Sequence, residues 1–135
     1  MPKLWHNLVL SAVALVVASV VQATDLDGLL QRYAAESERP FDARTGAANW
    51  RREVVSTSAG PPRSCASCHG STLAREGRHL RTRKRIAPLS PSVNPERLTD
   101  AVKIEKWLRR NCKWTWGREC TAQEKGDFLL FISSN

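Results

Sequence analysis

Methionine occurs once in the 135 residues, at position 1, and histidine only at His6, His69 and His79. Nowhere do apolar and polar side chains alternate over the length that a half-buried strand requires, so the pattern predicts an all-α domain. No internal repeat is visible, and the length suits one domain. The four cysteines form two unlike pairs, Cys65/Cys68 and Cys112/Cys120. The second pair is too widely spaced to complete a common zinc ribbon or finger with the first. A thioredoxin-like redox pair would need a βαβ pattern around it, and none is present. Acidic residues are also scarce: 13 Asp and Glu stand against 21 Lys and Arg, for a net charge of +8.

The N-terminus reads as a targeting segment. Lys3 supplies a positive start, Leu8 to Val21 is apolar, and Val21-Gln22-Ala23 places small residues where a signal peptidase cuts. The run is short for a membrane span, and Asp25 and Asp27 follow at once. We therefore expect residues 1–23 to be a cleaved secretory signal and residues 24–135 to be the working domain. The alternative is an uncleaved N-terminal anchor. Cleavage removes the one methionine and leaves a periplasmic protein that is not integral to the membrane. The excess positive charge then suits an acidic partner, an anionic ligand or a membrane face, and nucleic acid is excluded by export.

Helical periodicity recurs along the rest of the chain. Leu26, Leu29, Leu30 and Tyr33 line one face of a helix over 25–37, broken by Arg39-Pro40. A second helix follows Asp42 as N-cap, with Gly46 and Trp50 on one side, running to Val55. Residues 70–97, with Pro88, Pro91 and Pro95, are expected to be irregular. Thr99 is a candidate N-cap for a helix over 100–110, and Thr121-Ala-Gln-Glu124 is a capping box opening a last helix.

The strongest motif is Cys65-Ala-Ser-Cys68-His69. In C-x-x-C-H, two thiols on one turn of chain can add across the two vinyl groups of a haem, and the adjacent histidine is carried under the iron. One motif implies one covalently attached haem c, with His69 as the proximal ligand. Electron-carrying cytochromes commonly supply a methionine sulfur on the other face. With Met1 lost, three candidates remain. His79 would make a bis-histidine haem, but only ten residues separate it from His69, and it also reads as an exposed residue in a basic stretch. A lysine would have to lose its proton on burial. Asn111 continues the apolar face of Ile104, Trp107 and Leu108 at helical spacing, and equally suits a helix C-cap. Cys112 and Cys120 can close a small loop beside it.

The runs C-A-S-C-H-G, R-K-R-I-A-P-L-S-P-S-V-N-P-E-R-L-T-D, E-K-W-L-R-R-N-C and G-R-E-C-T-A-Q-E-K together resemble the sphaeroides haem protein (SHP) family of monohaem cytochromes c. The resemblance runs from Asp42 to the C-terminus, and N-C-x7-C is its most specific part. It implies a class I cytochrome c fold with an extra N-terminal helix. It also implies His69 and Asn111 as axial ligands and a Cys112–Cys120 disulfide. On reduction Asn111 would leave the iron, opening the site to diatomic ligands such as oxygen or nitric oxide, with a dihaem cytochrome c or other acidic redox protein as electron donor. Pro88, Leu89 and Trp107 are expected to pack against the haem. Trp114 and Trp116 make the disulfide loop unusually aromatic, which suits covering the haem edge, docking a partner or plain packing.

Two functions follow. One is electron transfer with a ligand-binding haem. The basic clusters Arg78, Arg81, Arg83, Lys84, Arg85 and Lys103, Lys106, Arg109, Arg110, Lys113 would then steer an acidic partner. The other is a terminal oxidoreductase that reduces oxygen or a nitrogen oxide species, for which the scarcity of histidine leaves little to deliver protons. A gas sensor would need an output domain, and the sequence offers none.

Overall fold

The computed structural model describes residues 24–55 and 60–135; the expected signal segment 1–23 lies outside them. Five helices and one minimal hairpin follow in the order α1 (Asp25–Ala35), α2 (Ala43–Arg51), α3 (Ala66–His69), β1 (Gly77–Arg78), β2 (Arg85–Ile86), α4 (Ala101–Trp116) and α5 (Ala122–Ser133). Among the described residues the fold is helical apart from this hairpin, which pairs Gly77 with Ile86 and Arg78 with Arg85, and one isolated bridge between Val54 and Arg63.

Each long helix starts at a side-chain cap. Thr24 and Asp27 form a reciprocal capping box on α1, and Thr121 and Glu124 form one on α5. The Asp42 carboxylate accepts from the Arg44 and Thr45 amides at the head of α2. On α4 the cap is Asp100, whose carboxylate accepts from the Lys103 amide at 2.9 Å. Thr99, expected in that role, instead donates its hydroxyl to the Glu96 carbonyl at 2.8 Å. Nor does α4 stop at Arg110. It continues to Trp116 because no breaker intervenes before Gly117, whose φ of 72° makes the left-handed C-cap. In the other direction α2 ends short of Val55. The β-branched Val54 leaves the helix to exchange two backbone hydrogen bonds with Arg63, at 2.9 and 3.1 Å.

Two apolar clusters result. Leu29 and Tyr33 of α1 meet Ile104 of α4 and Leu129 of α5. Trp50 of α2 meets Leu73, Trp116, Phe128, Phe131 and Ile132, with Cys65, Ala66 and Leu89 packed around them. Helices α2 and α5 approach each other most closely at Gly46, where a Cβ would fall 2.1 Å from the Asp127 carbonyl oxygen. Asp127 itself is 1% exposed, and such a carboxylate must be paired. It accepts from both Arg39 guanidinium nitrogens at 2.6 and 3.3 Å, from the Asp42 amide at 2.8 Å and from Gln123 at 3.2 Å. The link from α1 to α2 is thereby tied onto α5.

Gly46→Ala forces this helix pair apart. We expect a loss of about 1–3 kcal/mol, the usual cost of overpacking, seen in urea unfolding as a lower midpoint with an unchanged m-value.

Candidate haem site

Helix α3 is a single turn, and its sequence makes it one. Ser67 Oγ accepts from the Ser64 amide at 3.0 Å, and the His69 amide donates to the Cys65 carbonyl at 3.1 Å. Gly70 then ends the turn at φ 77°, a conformation that favours glycine. Cys65 and Cys68, three residues apart on that turn, are both unbonded and half-buried. Strand β1 lies directly against the turn, since a Cβ at Gly77 would sit 2.2 Å from the Cys68 carbonyl oxygen and 2.8 Å from His69 Cα. From the other side Trp50 donates its indole N–H to the Gly70 carbonyl at 3.0 Å and places its ring 5.4 Å from the imidazole of His69.

The electrostatics suit a ligand set held neutral. Burial, aided by the nearby Arg97, pushes the His69 pKa down to about 4, leaving the unprotonated imidazole that a metal binds. Burial also pushes the Cys65 thiol up to about 12. The buried Nδ1 of His69 has no hydrogen-bond partner among the described residues.

Pro88 and Leu89 lie across from Leu73, whose carbonyl accepts from the Leu89 and Ser90 amides at 2.9 and 3.0 Å. The Pro88 carbonyl accepts from Asn94 Nδ2 at 3.0 Å and from Arg97 Nε at 2.9 Å. Arg97 also takes the Ala87 carbonyl at 3.0 Å, so this one side chain fixes the strand of backbone and charges the surroundings of His69.

Asn111 is half-buried in the interior of α4, well before the Gly117 cap, so it is not a C-cap. Its side chain makes no hydrogen bond among the described residues. Trp107 precedes it by four residues and Trp114 follows by three, which puts all three on one flank of the helix. Trp107 remains 44% exposed, with the Arg110 guanidinium 5.5 Å from its ring.

Cys112 and Cys120 are joined by a disulfide with Cα atoms 5.6 Å apart, which leaves neither available to a metal. The two tryptophans of this region do different things. Trp116 is buried against Phe128 at 5.5 Å, with the Arg52 guanidinium 4.3 Å from its ring. Trp114 lies 5.5 Å from the His79 ring and 4.5 Å from the Arg63 guanidinium. His79 is thus tied into the hairpin, and its Nδ1 accepts from the Thr82 amide at 3.2 Å.

Sequence reasoning passed over three residues that position the site: Gly77, Arg97 and the indole N–H of Trp50. Only Trp50 left a trace in the pattern, as the large residue on the buried side of α2.

The chain is matched over residues 36–132 by a family model described as a domain of unknown function (DUF1924). The cytochrome c-type protein SHP of Cereibacter sphaeroides is 40% identical over 127 residues, 94% of this chain and 96% of that protein. Cytochrome c'' of Methylophilus methylotrophus is 37% identical over 76 residues, 56% of this chain and 53% of that one. Among solved structures, oxidised SHP, described as an oxygen-binding cytochrome c, superposes with a TM-score of 0.74 at 39% identity, covering 84% of this chain and all of that one. Oxidised cytochrome c'' superposes with a TM-score of 0.71 at 30% identity, covering 82% and 94%.

Breaking the bridge by Cys112→Ala with Cys120→Ala is expected to cost about 2.5 kcal/mol, the chain-entropy value for so short a loop. Urea unfolding of the double variant against the oxidised parent measures it.

Proposed function

We propose, from the premise that the chain belongs to the DUF1924 family and to the SHP family of monohaem c-type cytochromes, that it is a periplasmic electron-transfer cytochrome whose distal site opens on reduction. It has the helical cytochrome c fold and carries one covalently attached haem c, held by Cys65 and Cys68. The haem supplies a one-electron redox centre and, when its sixth position is free, a place for a diatomic ligand such as oxygen or nitric oxide. His69 would hold the iron from the proximal side as a neutral imidazole, with Arg97 as a positive charge nearby. Pro88, Leu89 and Trp107 would pack against the macrocycle.

Asn111 would be the distal ligand, and the observation that carries this reading is its place in α4: mid-helix, between Trp107 and Trp114 on one flank, with no side-chain hydrogen bond among the described residues. A neutral amide is a weak donor to iron, weaker to ferrous than to ferric, so reduction would favour its release. The neighbouring disulfide restrains the backbone beside it. Rotation of the Asn111 side chain, with the helix intact, would then free the sixth position. The oxygen-binding description of SHP supports a haem that takes a small ligand. His79 is the poorer candidate because its ring lies against Trp114 and its Nδ1 is taken by the hairpin.

The domain is residues 24–135, exported by the signal at 1–23. Among the described residues no helix is long and apolar enough to cross a membrane. Electrons come from an acidic redox protein such as a dihaem cytochrome c, guided by the basic surface.

Absorption and EPR spectra of ferric and ferrous protein, with Asn111→Ala and His79→Ala, test the ligand set. The reduced wild type should be high-spin and bind carbon monoxide readily. Asn111→Ala should be high-spin in both oxidation states. It should also bind cyanide about tenfold more tightly in the ferric state, because no internal ligand competes. A low-spin ferrous spectrum lost only in His79→Ala would overturn the assignment.

A further inference from the structure

The two basic clusters stand in different relations to the haem site. The α4 cluster is partly engaged: Lys113 is paired with Glu119 at 3.0 Å, and Arg110 lies over Trp107. The hairpin cluster is bound to the attachment turn itself, because the backbone of β1 touches that of Cys68 and His69 at Gly77. Its tip exposes Arg78, Arg81, Arg83 and Lys84. Glu76 at its base is occupied by Arg85, so the charge presented outward is positive. Between hairpin and turn runs a groove of about 320 Å³ lined by Ser67, Cys68, Arg78, Leu80 and Arg83. Leu80 is 40% exposed there, an apolar contact inside a ring of cations. The tilted contact of His79 with Trp114, at 5.5 Å between rings, joins the hairpin to α4.

Resting on the reading of the chain as an electron-transfer cytochrome, we propose that this groove is the docking surface for an acidic redox protein, whose carboxylates meet Arg78, Arg81, Arg83 and Lys84 around Leu80. Cations rimming one apolar residue combine long-range steering with a small dry contact, the pattern of transient protein encounters. Cys68 lines the groove, so a partner seated there lies against the edge at which the prosthetic group is covalently fixed. One electron passes from the partner, which is oxidised, to this protein, which is reduced, and no bond forms or breaks. The α4 cluster, by contrast, is a solvated face.

Stopped-flow reduction of the haem-loaded ferric protein by reduced flavodoxin, an acidic protein used here as the probe, tests the surface. At low ionic strength Arg78→Glu with Arg83→Glu should slow the second-order rate by about tenfold or more and flatten its salt dependence. Leu80→Ala should slow it by about two- to fivefold with the salt dependence kept, the scale of one truncated apolar contact. Lys103→Glu with Lys106→Glu should stay within about twofold of wild type, as expected for charges outside the docking surface. Reduction by dithionite and carbon monoxide binding by the reduced variants read the haem site separately, so a failure there is told apart from a failure of docking. Hairpin variants as fast as wild type, or α4 variants slowed more than they are, would overturn the proposal. So would unchanged flavodoxin rates combined with loss of binding to phosphatidylglycerol vesicles, which would make the hairpin a membrane contact.

Discussion

A single turn, Cys65 to His69, has to present two thiols and an imidazole together, and four residues of helix cannot hold themselves in place. An isolated turn of that length is unstable in water, because its one or two hydrogen bonds do not offset the backbone entropy lost in forming it. The turn is therefore clamped between Trp50, which bonds the Gly70 carbonyl, and the backbone of β1, which reaches it because residue 77 has no side chain. Most of the molecule can be traced back to that clamp. Helix α2 carries Trp50, α5 supports α2 across Gly46, and the buried Asp127 ties the chain entering α2 to α5 through Arg39 and the Asp42 amide.

The same packing sets the chemistry of the ligands. Desolvation by burial lowers the His69 pKa, which keeps the imidazole in the neutral form that a metal binds. Asn111 is half-buried in the interior of α4 and makes no side-chain hydrogen bond among the described residues. The disulfide at Cys112, one residue further on, restrains the backbone beside it.

Much of this was legible in the chain. The C-x-x-C-H motif is local, as are the capping residues Asp42 and Thr121, and each acts within one turn of where it is written. The end of α4 was misplaced because Asn111 and Cys112 look like a helix terminus in isolation, whereas Gly117 alone supplies the left-handed cap. The N-cap was shifted from Thr99 to Asp100, two adjacent residues with nearly equal propensity for the role. Gly77 and Arg97 carry no local signature at all. What each does depends on a partner distant in sequence or loosely spaced from it: the carbonyl of Cys68 for one, the Pro88 carbonyl and the His69 ring for the other.

The sequence by itself pointed to the attached haem c, because C-x-x-C-H ties that role to spacing, and it named Cys65, Cys68 and His69 as the residues to hold it. It also determined the helical class, through periodicity, and it offers no methionine beyond Met1. Tertiary structure decided which of two basic clusters abuts the attachment turn, that Trp114 meets the hairpin while Trp116 fills the core, and that Asn111 lies in the interior of α4. Those outcomes depend on which surfaces meet when α2, α4 and α5 pack. Packing joins residues by shape and burial across the whole chain, and spacing along it carries no record of that.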